Sequence, residues 1–109
     1  MGSYNISFDD LMTYIHAQPS LDSFIGQPED CVRCPIHNVL AYKYPGVEFK
    51  GYVSSFQYKD TEGAWHWCFH NDLKVMEFVV KAVDRTKHKY DSCMYKSDAL
   101  AILRDMGYE

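Results

Sequence analysis

The sequence predicts an α+β fold in the order helix, helix, β-hairpin, helix, helix. The helices form one layer against one face of a small antiparallel sheet. Three observations carry this prediction. Residues 64–70 alternate strictly, with Trp65, Trp67 and Phe69 on one side and His66, Cys68 and His70 on the other. Asp60-Thr61-Glu62-Gly63 separates them from a second β-favouring run, 47–59, and reads as a hairpin turn. Elsewhere, apolar residues recur at helical spacing behind recognisable cap residues. A lone hairpin is not stable in water, so the helices must cover it. With 109 residues, 1–109 is read as a single domain with one core, and Met1-Gly2-Ser3 is set aside from the fold reasoning.

Ser7 is the predicted cap of the first helix, with Asp10 placed to complete a capping box and Asp9 favouring the helix dipole. Phe8, Leu11, Met12 and Ile15 form its inner face, and Pro19 ends it. Residues 19–30 read as a loop with a short extended piece at Phe24-Ile25. The second helix starts at Pro35 with Cys34 as its cap, and Tyr44-Pro45-Gly46 stops it. In the run 47–59 the apolar emphasis changes faces near Ser54-Ser55, which predicts a bulge or sharp twist there. Asn71 or Asp72 caps a third helix with Leu73, Met76, Val79, Val80 and Val83 inward. Ser97 caps a last helix carrying Ala99, Ile102, Leu103 and Met106, closed by Gly107. The hydrophobic payload of Trp65, Trp67 and Phe69 predicts that the tryptophan face of the hairpin is the buried one.

Composition narrows the function classes. A formal net charge of −4 argues against nucleic acid as a direct ligand and against anionic membranes. No apolar run approaches the ~20 residues that span a bilayer. The first fifteen residues pair two Asp with no basic segment, so no signal peptide is expected and a cytoplasmic location is. The four cysteines are then expected to be reduced.

The sequence offers one candidate metal centre. Cys31-x-x-Cys34 is the standard half of a zinc site, because a tight turn brings both sulfurs to one ion. Cys68 and His70, on one strand face, would complete it, with His66 and His37 as alternates. The expected cofactor is accordingly none or zinc. The same cysteine pair raises thiol redox chemistry, since a helix N-terminus beside Arg33 would lower the Cys34 pKa. A thioredoxin-type motif would need a strand before it, and here a helix and loop precede it. There is no G-x-S-x-G, H-E-x-x-H or glycine-rich phosphate loop, so no enzyme is expected.

Nine tyrosines and two tryptophans are more than a core of this size needs, which places some on the surface as binding anchors. Tyr42, Tyr44, Tyr58, Tyr90 and Tyr95 are the candidates, joined by Asp9 and Asp10 of an N-terminal third that has no Lys or Arg. Basic residues beside several of these tyrosines also suit single-stranded nucleic acid, against which the overall acidity stands. The reading that best fits the sequence is a small non-enzymatic module that regulates another protein by occupying its surface, as an inhibitor does. A structural zinc domain is the competing class, and a homodimer through the hairpin's free edge a third.

Overall fold

The first helix begins where the capping residues place it. In the computed structural model, which describes residues 4–70 and 72–108, α1 spans Phe8–Ala17. The Ser7 hydroxyl accepts the Asp10 N–H at 3.1 Å and the Asp10 carboxylate accepts the Ser7 N–H at 2.9 Å. Lys43 also reaches that carboxylate, at 2.8 Å. A short strand, β1 (Phe24–Gly26), follows, and then α2 (Pro35–Lys43). Cys34 caps α2 through its sulfur, which accepts the His37 N–H at 3.3 Å. The sheet strands are β2 (Phe49–Gly51), β3 (Ser55–Lys59) and β4 (Trp65–Phe69). They precede α3 (Leu73–Thr86), β5 (Met94–Tyr95) and α4 (Lys96–Asp105). Among the described residues these make four helices, a three-stranded antiparallel sheet ordered β2-β3-β4, and a small β1-β5 pair. This is the α+β arrangement the sequence predicts.

Three details differ from the sequence reading. First, the run 47–59 is two strands. The chain reverses between Gly51 and Ser55, where the Tyr52 N–H donates to the Ser55 carbonyl at 2.9 Å. The switch of apolar face near Ser54-Ser55 is therefore a turn. The reversal puts Phe49 and Phe56 on the same, buried side of the sheet.

Second, α3 is rotated from the predicted stripe. Val75, Phe78, Val79, Ala82 and Thr86 are buried, whereas Leu73 and Val80 are exposed. Both sets have helical spacing, and the one containing the large Phe78 ring wins the core. Asp72 caps this helix, its carboxylate accepting the Lys74 and Val75 N–H groups. Its other oxygen accepts the Phe8 N–H at 2.8 Å, which ties the starts of α1 and α3 together. The alternative cap, Asn71, lies outside the described residues.

Third, α4 starts two residues early. Tyr95 holds the cap position and Asp98, not the predicted Ser97, organises the end by accepting the Tyr95 N–H at 3.0 Å.

The core lies between the helices and the inner face of the sheet. Leu11 and Ile15 of α1, Ile36 and Leu40 of α2, Phe56 of β3, Phe78 of α3 and Leu103 of α4 are fully buried within it. The helix α2 sits so close to β2 that a Cβ on Gly51 would fall 2.5 Å from Cys34 Sγ and 2.6 Å from the His37 backbone nitrogen. The Cys31 carbonyl accepts the Gly51 N–H at 2.7 Å, so the loop before α2 is fastened to the same strand. No helix among the described residues is long and apolar enough to cross a membrane.

Candidate interaction surface

The hairpin turn fixes the geometry of β4. Gly63 adopts φ +87°, which a residue with a Cβ rarely tolerates. The Asp60 carboxylate accepts the N–H groups of Glu62 and Ala64, both at 2.9 Å, and contacts His66 Nε2 at 2.6 Å. The hydrogen bond from His66, with the two backbone donors, holds the Asp60 pKa below its ordinary value. The resulting register sets Lys59 opposite Trp65, Gln57 opposite Trp67 and Ser55 opposite Phe69. Lys50 of β2 lies across from Gln57. These residues share one face.

That face is the outer one. Trp67 is 54% exposed and Phe69 76%, so the expectation that the tryptophan side is buried is reversed. Instead Phe56, on the opposite face of β3, faces the core, with Cys68 of β4 beside it. The physical reason is the polar partner strand: Gln57 and Lys59 accompany the tryptophans, and burying that face would bury them too. On the outer face the Trp67 and Phe69 rings stack at 6.2 Å with an interplanar angle of 16°. The Tyr52 ring leans on Trp67 at 5.2 Å. Lys50 Nζ lies 4.3 Å above the Trp65 ring, a cation–π contact that covers this tryptophan. The result is an aromatic row with a basic end.

The hydrogen-bond phase of the sheet adds a second property. The Asp60 N–H donates to the Ala64 carbonyl and the His70 N–H to the Ser54 carbonyl. Antiparallel pairs alternate between bonded and non-bonded. His66 and Cys68 therefore bond to β3, while the N–H and C=O groups of Trp65, Trp67 and Phe69 point away from it. β4 is the last strand of its sheet, and among the described residues nothing bonds to that outer edge. Aromatic side chains and free backbone groups thus belong to the same three residues.

The predicted metal ligands are not gathered. Among the described residues no group of three or more His, Cys, Asp or Glu is placed to hold an ion. Cys34 lies against Gly51 on β2, whereas Cys68 lies on β4, with the buried Phe56 between the two strands. His70 follows Cys68 at the end of the same strand, and His37, the α2 residue named as an alternate, pairs its Nδ1 with Asn38 at 2.8 Å. The alternate His66 is engaged with Asp60. The expected lowering of the Cys34 pKa is also reversed. Burial dominates the helix terminus and pushes the thiol up to about 11. His70 is 8% exposed, and no side chain among the described residues hydrogen-bonds its ring. Burial lowers its pKa, against the opposing pulls of Asp72 and the Val53 backbone.

The candidate tyrosines divide. Tyr90 is fully exposed and Tyr42 about half exposed. Tyr44 and Tyr58 both pack on Tyr4, with ring centroids 4.9 Å away in each case, and Tyr58 also stacks on His66. Tyr95 packs on Phe24 within the β1-β5 pair. Asp9 is exposed, whereas Asp10 is committed to the α1 cap and to Lys43. Sequence reasoning placed Trp65, Trp67 and Phe69 in the core and so left them out of the candidate surface. The signal that locates them is the pairing register: Asp60 pairs with Ala64 across the loop 61–63, which sets Lys59 opposite Trp65, whereas a turn spanning 60–63 would set Lys59 opposite Ala64 and turn the tryptophans to the face of Phe56. Comparison of the chain with protein-family models, curated proteins and solved structures finds no match.

Proposed function

We propose that this chain is a small non-enzymatic module that binds another protein and regulates it by covering part of its surface, with the outer face of β4 as the contact. The carrying observation is the exposed stack of Trp67 on Phe69, extended by Tyr52. Exposed large aromatics on a rigid sheet combine apolar area with little entropy to lose, which is the chemistry of interface hot spots. Lys50 and Lys59 beside Trp65 give the row a positive end that favours an acidic rim on the partner.

Capture from a lysate of the source cells tests this. The double variant Trp67→Ala/Phe69→Ala removes the stack without adding charge, and its two side chains contribute little to the core. Wild-type protein is expected to retain specific proteins at least ~10-fold better than the double variant, as hot-spot truncations of about 2 kcal/mol each predict. Equal retention by both, or retention of single-stranded oligonucleotides in place of protein, overturns the reading.

A further inference from the structure

We infer that the free edge of β4 pairs with the β4 edge of a second copy of this chain. The inference rests on the reading of β4 as a binding element, and concerns its backbone edge where that reading concerns its aromatic face. The outward N–H and C=O groups belong to Trp65, Trp67 and Phe69, which are spaced evenly about Trp67. An antiparallel twofold axis through Trp67 sets Trp65 opposite Phe69 of the other copy, and Trp67 opposite itself. Every outward donor of one strand then meets an outward acceptor of the other, as a bonded antiparallel register requires. No offset is needed, and the strand is its own complement.

Charge permits this pairing. Edge strands are ordinarily protected by lysine, proline, a bulge or an inward charge. Residues 65–69 contain no Lys, Arg, Asp, Glu or Pro, and β4 pairs with β3 without a bulge. No like charges therefore meet across the axis, even though each chain carries −4 overall. Pairing also joins the two outer faces, so that the Trp67–Phe69 stacks of both copies form one aromatic row across a six-stranded sheet. A fully buried aromatic contributes ~150–250 Å², and these residues are already partly covered. The contact therefore falls below the ~800 Å² per partner of a standard interface. The dimer is accordingly weak, with a dissociation constant on the order of 10–100 µM.

Sedimentation equilibrium of the full chain from about 1 to 300 µM, a range chosen to bracket that constant, tests the inference. The wild type is expected to move from one chain toward two. Trp67→Lys, which sets two ammonium groups face to face on the axis, is expected to stay monomeric at every concentration with an unchanged melting temperature. Phe69→Lys serves as the second disrupting variant, at a still more exposed position. Trp67→Cys is expected to cross-link under mild oxidation at least ~10-fold faster than wild type, because bonded antiparallel pairs place Cα atoms ~5.5 Å apart, within disulfide range. A wild type that remains monomeric throughout overturns the inference, as does a dimer that survives both lysine variants or a Trp67→Cys chain that cross-links no faster than wild type. Partner capture that persists with a monomeric wild type leaves the proposed function standing. A dimer with no stack-dependent capture does the reverse.

Discussion

Gly51→Ala is expected to lower the melting temperature by about 12 °C or more. The added Cβ would lie 2.5 Å from Cys34 Sγ, 2.6 Å from the His37 nitrogen and 2.8 Å from Ile36 Cβ. Two of these three atoms are fixed by the first turn of α2, so rotating a flexible side chain does not relieve the crowding. Overpacking of this kind costs ~3 kcal/mol, and a domain of this size shifts by roughly 4 °C or more for each kcal/mol. The helix must move off the sheet, or β2 must bend. Either movement also loosens the Cys31–Gly51 hydrogen bond that fastens the preceding loop. Cys34→Ala combined with Gly51→Ala should recover part of the loss, since it removes the nearest atom, and the double-mutant cycle reads that coupling. A Gly51→Ala protein that melts within about 2 °C of wild type, less than one kcal/mol on the same scale, would refute the close packing of α2 on β2.

The second large effect is expected at Asp98. This carboxylate is 6% exposed. Burial alone would raise its pKa, but Lys89 Nζ at 2.6 Å, the Tyr95 N–H at 3.0 Å and Arg85 Nε at 3.0 Å together lower it. It joins the end of α3 and the loop after it to the start of α4. Removing one member of a fully buried pair costs ~3–5 kcal/mol. Arg85 and Lys89 are both partly exposed, and water screens what they lose. Adding the lost helix cap, Asp98→Ala is expected to cost about 2–3 kcal/mol in chemical denaturation. Asp98→Asn keeps an acceptor for the Tyr95 N–H and is expected to cost less.

The pH dependence at Asp98 has a fixed sign. With the folded pKa below the unfolded value of 3.8, the unfolded chain binds more protons in the window between them. The contribution is complete above the unfolded pKa and is lost as pH falls through the folded one. Wild type should therefore lose stability below about pH 4 more steeply than Asp98→Asn. Parallel acid limbs, or a loss under ~1 kcal/mol in Asp98→Ala, the size of an exposed ion pair, would show that the three contacts act only at the surface.

The starts of α1, α2 and α3 were legible because capping is local, whereas at α4 Ser97 masked the cap that Tyr95 and Asp98 form. Ser7, Asp10, Cys34 and Asp72 lie within four residues of the backbone groups they satisfy, and the sequence displays them directly. The inner face of α3 was legible only at Val79, because Leu73-Met76-Val80-Val83 and Val75-Phe78-Ala82 have the same period on either side of it, and only packing against other elements selects between them. The sheet failed for a related reason. Counting β-favouring residues from 47 to 59 hides a reversal at Tyr52, which no proline and only Gly51 announces. With one long strand in mind, both faces look apolar, and the hydrophobic sum over Trp65, Trp67 and Phe69 then decides for the wrong face. Cross-strand pairing carries the correction. Asp60 pairs with Ala64 across the three-residue loop 61–63, so Phe56 pairs with Cys68 and Lys59 with Trp65, and the polar side of β3 travels with the tryptophans; a turn spanning 60–63, as the sequence alone suggests, would instead set Phe56 opposite Trp67. The metal hypothesis was limited in the same way. Spacing within Cys31-x-x-Cys34 is readable, but the distance from α2 to β4 is set by Phe56 and by the order of strands.

That β4 presents aromatic side chains and unpaired backbone groups from the same residues is the central claim, the proposed function resting on the aromatic face and the dimer on the backbone edge. Residue-resolved amide hydrogen exchange tests it most directly, in dilute solution and again at high concentration or with captured partner. The account predicts that the Trp65, Trp67 and Phe69 amides exchange rapidly in dilute protein. His66 and Cys68, bonded to β3, should exchange slowly, and the three aromatic amides should slow when the edge is occupied. Slow exchange of Trp65, Trp67 and Phe69 in dilute monomer, or rates at these residues unaffected by partner and concentration, would contradict it.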